Sequence, residues 1–263
     1  MDVRLFRHRA FGTSVLVNVL AMFALVGYAL FTTQYMQLVL GLRPFVAALW
    51  SLPVTVVIAA AATAVGMLAK RIRSAYLIAG GLTVSAAGLV VLTTVGPHTG
   101  LLLLLVGAGV MAAGVVAAMT LTGDLILATA PPERAGAASA LSETANELGG
   151  ALGIAILGSI GAAVYRHQVA GALAGLPDGP REAAHGTLGG AAAVAAHLPG
   201  SAGTGLLDAA RVAFSHGLNL VAGIGAASML LAGLLAAFLL RGLAAGPVHP
   251  AQDEPATPEL VRG

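Results

Sequence analysis

The sequence predicts an all-α integral membrane protein, a bundle of six transmembrane helices, and three observations predict it. The chain of 263 residues is 58% hydrophobic and only 9% charged, whereas a soluble domain carries about 25% charged residues. Its mean hydropathy is +0.91, more apolar surface than a soluble core of this size can hide. The apolar residues are also gathered into six runs, each close to or beyond the ~20 residues that a helix needs to cross the hydrocarbon layer.

The runs fall at about 11–36, 44–68, 74–95, 100–128, 132–165 and 212–240, which makes 11–241 the membrane domain. The first follows a basic segment, residues 1–10. It is longer than the roughly 7–15 residues of a secretory signal core and no small-residue cleavage site follows, so it reads as a membrane anchor. The second holds Trp50, read as packing or lipid contact, and Pro53, which predicts a kink. The fourth carries Gly107, Gly109 and Gly114, residues that let helix backbones approach closely. Asp124, near its end, reads as an interfacial charge or a partner for Arg134. The fifth opens on Pro131, Pro132 and Glu133, two prolines and an acid suited to a first helical turn.

Between the last two runs, residues 166–211 contain Pro177, Asp178, Pro180, Arg181, Glu182 and the histidines His167, His185 and His197. The Ala-rich centre, Ala183 to Leu198, is too short and too broken by glycine to cross a bilayer. We read 166–211 as an extracytoplasmic loop carrying at most one surface helix. Residues 242–263, rich in Pro, Asp and Glu, read as a disordered cytoplasmic tail.

Arginine placement sets the orientation. With the N-terminus inside, Arg4, Arg7, Arg9, Lys70, Arg71, Arg73, Arg134, Arg241 and Arg262 face the cytoplasm, and Arg43, Arg166, Arg181 and Arg211 face out. That is nine against four of the chain's 13 Lys and Arg, in keeping with the positive-inside rule. Both termini are then cytoplasmic. The Ala- and Gly-rich composition suits a bacterial protein, and the expected location is the bacterial inner membrane.

Several function classes are disfavoured. A net charge of +2 without a basic patch gives no footprint for nucleic acid. There is no cysteine, hence no disulfide framework, thiolate metal site or cysteine nucleophile. No GxSxG, HExxH or P-loop occurs, and the histidines form no helical metal-ligand pair. The chain therefore reads as a non-enzyme with no catalytic residues, cofactor or metal.

The functional signal lies in the fifth run. Glu143 and Glu147 stand four apart, so they share one helical face, with Ser139 and Asn146 beside them. Acids on a membrane helix are costly and by default face a bundle interior or a watery cavity. Counted from Arg134 at 1.5 Å per residue, Glu143 lies about 13 Å and Glu147 about 20 Å along the axis, both within the ~30 Å hydrocarbon layer. The alternative is that Leu148 to Tyr165 crosses alone and both acids lie at the cytoplasmic surface, against which Ala135 to Leu141 carries no charge. A carboxyl taken out of water holds its proton more readily, and a neighbouring carboxylate adds to this. Such a pair exchanges a proton for a lipophilic cation, the simplest physical basis for antiport. Gly149 and Gly153 form a small-xxx-small pair on another face, suited to packing a neighbouring helix. In the first run Tyr28, Thr32 and Tyr35 form a polar stripe at i, i+4 and i+7, candidates for lining a cavity or, for the outer ones, for the aromatic and polar belt at the membrane interface.

The stretch DLILATAPPERAGAASALSETANELGGALGIAILGS resembles the penultimate-helix region of the 14-helix drug:proton antiporters of the major facilitator superfamily. RLFRHRAF, QYMQLVLGLRPFVAALWSLP and ARVAFSHGLN resemble the same family in the same order. The resemblance implies the last six helices of that fold, its C-terminal half. It also implies proton-driven multidrug efflux of amphipathic or cationic small molecules, with Glu143 and Glu147 on the family's acidic positions. The expected partners are membrane lipid, substrate, protons and an N-terminal six-helix bundle that this chain lacks. GMLAKRIRS, Gly66 to Ser74, resembles a degenerate inter-helix motif of the superfamily, with Lys70 where an acid is expected. The alternative is a non-transporting truncated fragment, or a half-bundle that assembles with a separately encoded N-terminal half.

Overall fold

The computed structural model describes residues 9–241. The expected cytoplasmic tail, 242–263, and nearly all of the basic segment 1–10 lie outside the described residues. Six long helices carry the fold: α1 (Arg9–Gln34, continued by a wider turn over Tyr35–Val39), α2 (Pro44–Leu68), α3 (Ser74–Leu92), α4 (Leu101–Thr129), α5 (Ala135–Val169, led in by a tight turn over Pro132–Arg134) and α8 (Ser201–Leu239). Each is long and apolar enough to cross a membrane. Two short helices, α6 (Asp178–Gly186) and α7 (Leu188–Ala195), lie between α5 and α8, and no strand occurs among the described residues. This is the all-α, six-helix membrane architecture that the composition predicts.

Close packing between these helices is made by glycine. Lipid tails are as apolar as leucine, so helices associate in a membrane by intimate contact and not by hydrophobic expulsion. At the α3–α4 contact a side chain on Gly114 would run into the Gly81 carbonyl and Ser85, and one on Gly88 would sit 2.5 Å from the Met111 nitrogen. The Ser85 hydroxyl crosses the same seam and donates to the Met111 carbonyl at 2.7 Å. The α1–α5 contact is built alike: Gly149 lies against the Val19 carbonyl and Gly153 against the Phe23 carbonyl. Helix α8 closes the bundle against α1, α3 and α5. Helix α2 packs chiefly on α4, and Ala47 is its one buried residue.

The far end of α1 is fastened twice. The Tyr35 hydroxyl donates to the Gly96 carbonyl at 2.6 Å and to the Thr99 carbonyl at 3.3 Å in the α3–α4 connection. The Arg211 Nε of α8 donates to the Leu38 carbonyl at 3.4 Å. Gly41, at φ +69°, then lets the chain reverse where a side chain would be strained.

The stretch expected to be loop with at most one helix is more ordered than that. The Thr187 hydroxyl accepts from the Gly190 N–H at 3.0 Å and so caps α7, while the Tyr165 hydroxyl of α5 donates to the Ala184 carbonyl of α6 at 2.8 Å. The last long helix begins at Ser201, about three turns before the apolar run that marks it in the sequence. Its first turns are mixed in polarity and carry Gly203 and Gly205, so hydropathy and propensity both read them as loop.

Candidate functional site

Helix α5 carries two stripes with one period. Ala145, Gly149, Gly153, Leu157, Gly161, Tyr165 and Val169 are all buried and stand four residues apart. At 3.6 residues per turn each step of four overshoots a full turn by about 40°, so the stripe winds round the helix. It meets α1 first, at Val19, Phe23 and Phe31, and α8 where a side chain on Gly217 would sit 2.9 Å from the Gly161 carbonyl.

The second stripe is open. Ser139, Glu143, Glu147, Ala151, Ala155, Ser159, Ala163 and His167 keep the same spacing, and every one is exposed. Glu143 and Glu147 therefore lie one turn apart, about 6 Å along the axis, on the face turned away from α1. Neither makes an ion pair or a side-chain hydrogen bond among the described residues. Within this bundle nothing covers them. The glycines opposite explain why: Gly149, Gly153 and Gly161 turn to the α1 and α8 contacts, which leaves the acids outward.

The other candidates are placed as follows. Ser139 heads the open stripe. Asn146 is half-buried beside it, and its Oδ1 is buried without a hydrogen-bond partner. Thr32 is half-buried and donates to the Tyr28 carbonyl at 3.2 Å, a bond within its own helix. Tyr28 and Tyr35, 1% and 0% exposed, turn into the packed core, not toward the open face expected of cavity-lining side chains. The i, i+4, i+7 spacing identified a common face of α1 without saying which neighbours it meets. Gly149 and Gly153 sit in the α1 seam, as described above. Asp124 is exposed and makes no ion pair with Arg134.

One polar feature had no signal in the sequence. Asn18 of α1 and Thr122 of α4 meet inside the bundle, Thr122 Oγ1 donating to Asn18 Oδ1 at 2.5 Å. Only the fold brings these two helices together. The four-residue spacing of the open stripe, by contrast, is visible in the sequence from Ser139 to His167. Elsewhere, a groove of about 700 Å³ between the end of α5 and α6 is lined by Asp178, Arg181, Glu182 and His185, remote from the two acids along α5. No group of three or more His, Asp or Glu is placed to hold a metal ion among the described residues.

The family model for the Major Facilitator Superfamily matches residues 3–154. The chain belongs to that superfamily. Among its relatives, the multidrug efflux pump LfrA of Mycolicibacterium smegmatis is 39% identical over 92% of this chain and 48% of its own length. The methyl viologen resistance protein SmvA of Salmonella typhimurium is 36% identical over 88% of this chain and 46% of its own. The tetracenomycin C resistance and export protein of Streptomyces glaucescens is 29% identical over 100% of this chain and 49% of its own. The chain thus spans about half the length of the superfamily members it matches. Its six long helices pack as one bundle in which, among the described residues, little covers α2 and nothing covers the acidic face of α5.

Proposed function

We propose that this chain is the C-terminal half of a 14-helix, proton-coupled multidrug efflux transporter. In this reading α2 and the open face of α5 meet an N-terminal bundle across a central cavity. Glu143 and Glu147 carry the proton there, and Ser139, Asn146 and Thr32 contribute polar lining. An amphipathic cation and a proton compete for the same acidic pair. Protonation from the outer side releases the drug, and deprotonation to the cytoplasm restores the negative charge that attracts the next one. The relatives described as a multidrug efflux pump, a resistance protein and an export protein support the drug-efflux part of this reading.

The observation that carries it is the segregation of α5, glycines toward α1 and α8 and both carboxylates on a face that no helix among the described residues covers. Alternating access needs one bundle to rock against another, so the uncovered faces are where the second bundle belongs. The reading also places the protein in the bacterial inner membrane with both termini cytoplasmic, which fusions of alkaline phosphatase and green fluorescent protein to each connection report directly.

The half-length match to the relatives favours one further possibility, a bundle that does not transport by itself. Both are tested by expressing this chain alone and with the N-terminal half of a full-length relative, and following efflux of a fluorescent cation from right-side-out vesicles under an imposed proton gradient. Gradient-dependent efflux is expected only with the second half present. Glu143→Gln and Glu147→Gln are each expected to reduce it to background. Efflux that keeps its dependence on the gradient in both variants removes the acids from the mechanism, and no efflux in either pairing favours the non-transporting fragment.

A further inference from the structure

The turn between α2 and α3 concentrates charge in a way the transport reading leaves unused. Lys70, Arg71 and Arg73 are all exposed within four residues. None of the three makes an ion pair, a side-chain hydrogen bond or a ring contact among the described residues. The chain's other paired arginines behave differently: Arg181 lies 3.7 Å from Asp178 and Arg211 lies 3.9 Å from Asp208.

The same turn leads into the first turn of α3. Arg73 has extended backbone there and no side chain caps the helix. The Ser74 N–H, in that first turn, therefore has no partner within the helix, and a helix N-terminus favours an anion. Met67, Leu68, Ile72 and Tyr76 flank the cations, and all four are exposed. Three unpaired cations at an open helix start, ringed by exposed apolar side chains at the end of two membrane-length helices, match one kind of molecule. It has a negative phosphate at the membrane surface and acyl chains beside it.

We propose that the α2–α3 turn is a binding site for an anionic phospholipid, its phosphate held by Lys70, Arg71, Arg73 and the first turn of α3, and its acyl chains lying along Met67, Leu68, Ile72 and Tyr76. The site commits to lipid over a soluble anion because the apolar ring has no use for inorganic phosphate. It does not depend on the transport reading, because the turn belongs to α2 and α3 and uses neither acid of α5.

The test uses the full chain in mixed micelles. Trp50 is the sole tryptophan, so Trp50→Phe combined with Tyr76→Trp places one reporter at the turn. Its quenching by brominated phosphatidylglycerol is compared with that by brominated phosphatidylcholine. Each basic residue near an anionic lipid surface strengthens binding by roughly fivefold, so a preference of at least roughly tenfold for phosphatidylglycerol is expected. It is expected to fall toward parity in Lys70→Gln/Arg71→Gln/Arg73→Gln, to survive in Arg71→Lys/Arg73→Lys, and to resist an excess of inorganic phosphate.

Unchanged quenching by the phosphatidylcholine probe shows that the triple variant is still inserted. If it is not, Arg73→Gln alone is expected to give a partial loss. Equal quenching by the two lipids in the parent overturns the proposal, as does a preference untouched by removal of the charges. Complete displacement by inorganic phosphate overturns it too, by making the turn a soluble-anion site. Loss of the preference when an N-terminal half is co-expressed overturns it by making the turn an interface between bundles.

Discussion

Helices α2 and α3 follow one another in the chain, each apolar enough to cross a membrane, and they are packed very differently. One residue of α2 is buried, Ala47, against eight of the 19 residues of α3. The difference lies in the small residues and where they point. Helix α3 brings Gly81 and Gly88 face to face with Gly114, Gly107 and Met111 of α4. Helix α2 has Gly66 alone, with open space where a side chain would go. Within a bilayer apolarity admits a helix but does not pair it, so contact is decided by how near the backbones can come. Open faces such as those of α2 and α5 then mark where something other than this chain is expected.

The sharpest way to break this comparison is to give the closed seam a side chain. Gly114→Val puts a Cβ into the Gly81 carbonyl and Ser85, and neither backbone can retreat without losing the rest of the seam. Overpacking of this kind costs about 3 kcal/mol. Thermal unfolding in detergent should show a large drop in midpoint or no folded protein at all. Gly66→Val on α2 meets nothing, so its midpoint should move by less than the effect of about 0.5 kcal/mol typical of surface changes. Equal losses from the two substitutions would mean that glycine matters for reasons other than contact.

A smaller effect separates the fastened end of α1 from its apolar length. Tyr35→Phe removes the donor that serves the Gly96 and Thr99 carbonyls and should cost about 1 kcal/mol. Hydrogen exchange should rise at the α3–α4 connection before it rises at α2. Inside the bundle, Thr122→Val takes the donor from Asn18 Oδ1. Interhelical hydrogen bonds in membranes average about 0.6 kcal/mol, so this loss should be the lesser of the two. A larger cost for Thr122→Val would show that the unfolded chain in lipid finds no substitute partner for Asn18.

These cases also show what the sequence made legible. Six long apolar runs gave the fold class because each helix satisfies its own backbone in lipid, whatever its neighbours. The acid pair was legible for the same reason: an ionisable residue in such a run is costly wherever it points. Which side of α1 turns inward was not legible. Tyr28 and Tyr35 are amphipathic side chains that suit a core, a cavity wall or an interface, and their burial inside the bundle decided among them. The early start of α8 at Ser201 and the two helices between α5 and α8 escaped because hydropathy sees only the membrane-crossing portion of a helix. Asn18 and Thr122 lie more than a hundred residues apart, and no local pattern joins them.

The smallest effect on the fold is expected from the residues with the largest proposed role. Glu147 is exposed on α5, with no ion pair or side-chain hydrogen bond among the described residues. Glu147→Gln keeps the shape of the side chain, breaks no ion pair or hydrogen bond among the described residues and removes a charge from an open face, so the unfolding midpoint of the isolated chain should be unchanged or slightly raised. Glu143→Gln should behave the same way. In an assembled two-bundle transporter the same substitutions are expected to abolish coupling to the proton gradient, since an amide neither releases a proton nor neutralises a cation. A residue that matters to the fold would fail both measurements together. One that matters only to exchange fails the second alone, and that split separates the open face of α5 from its glycine seam.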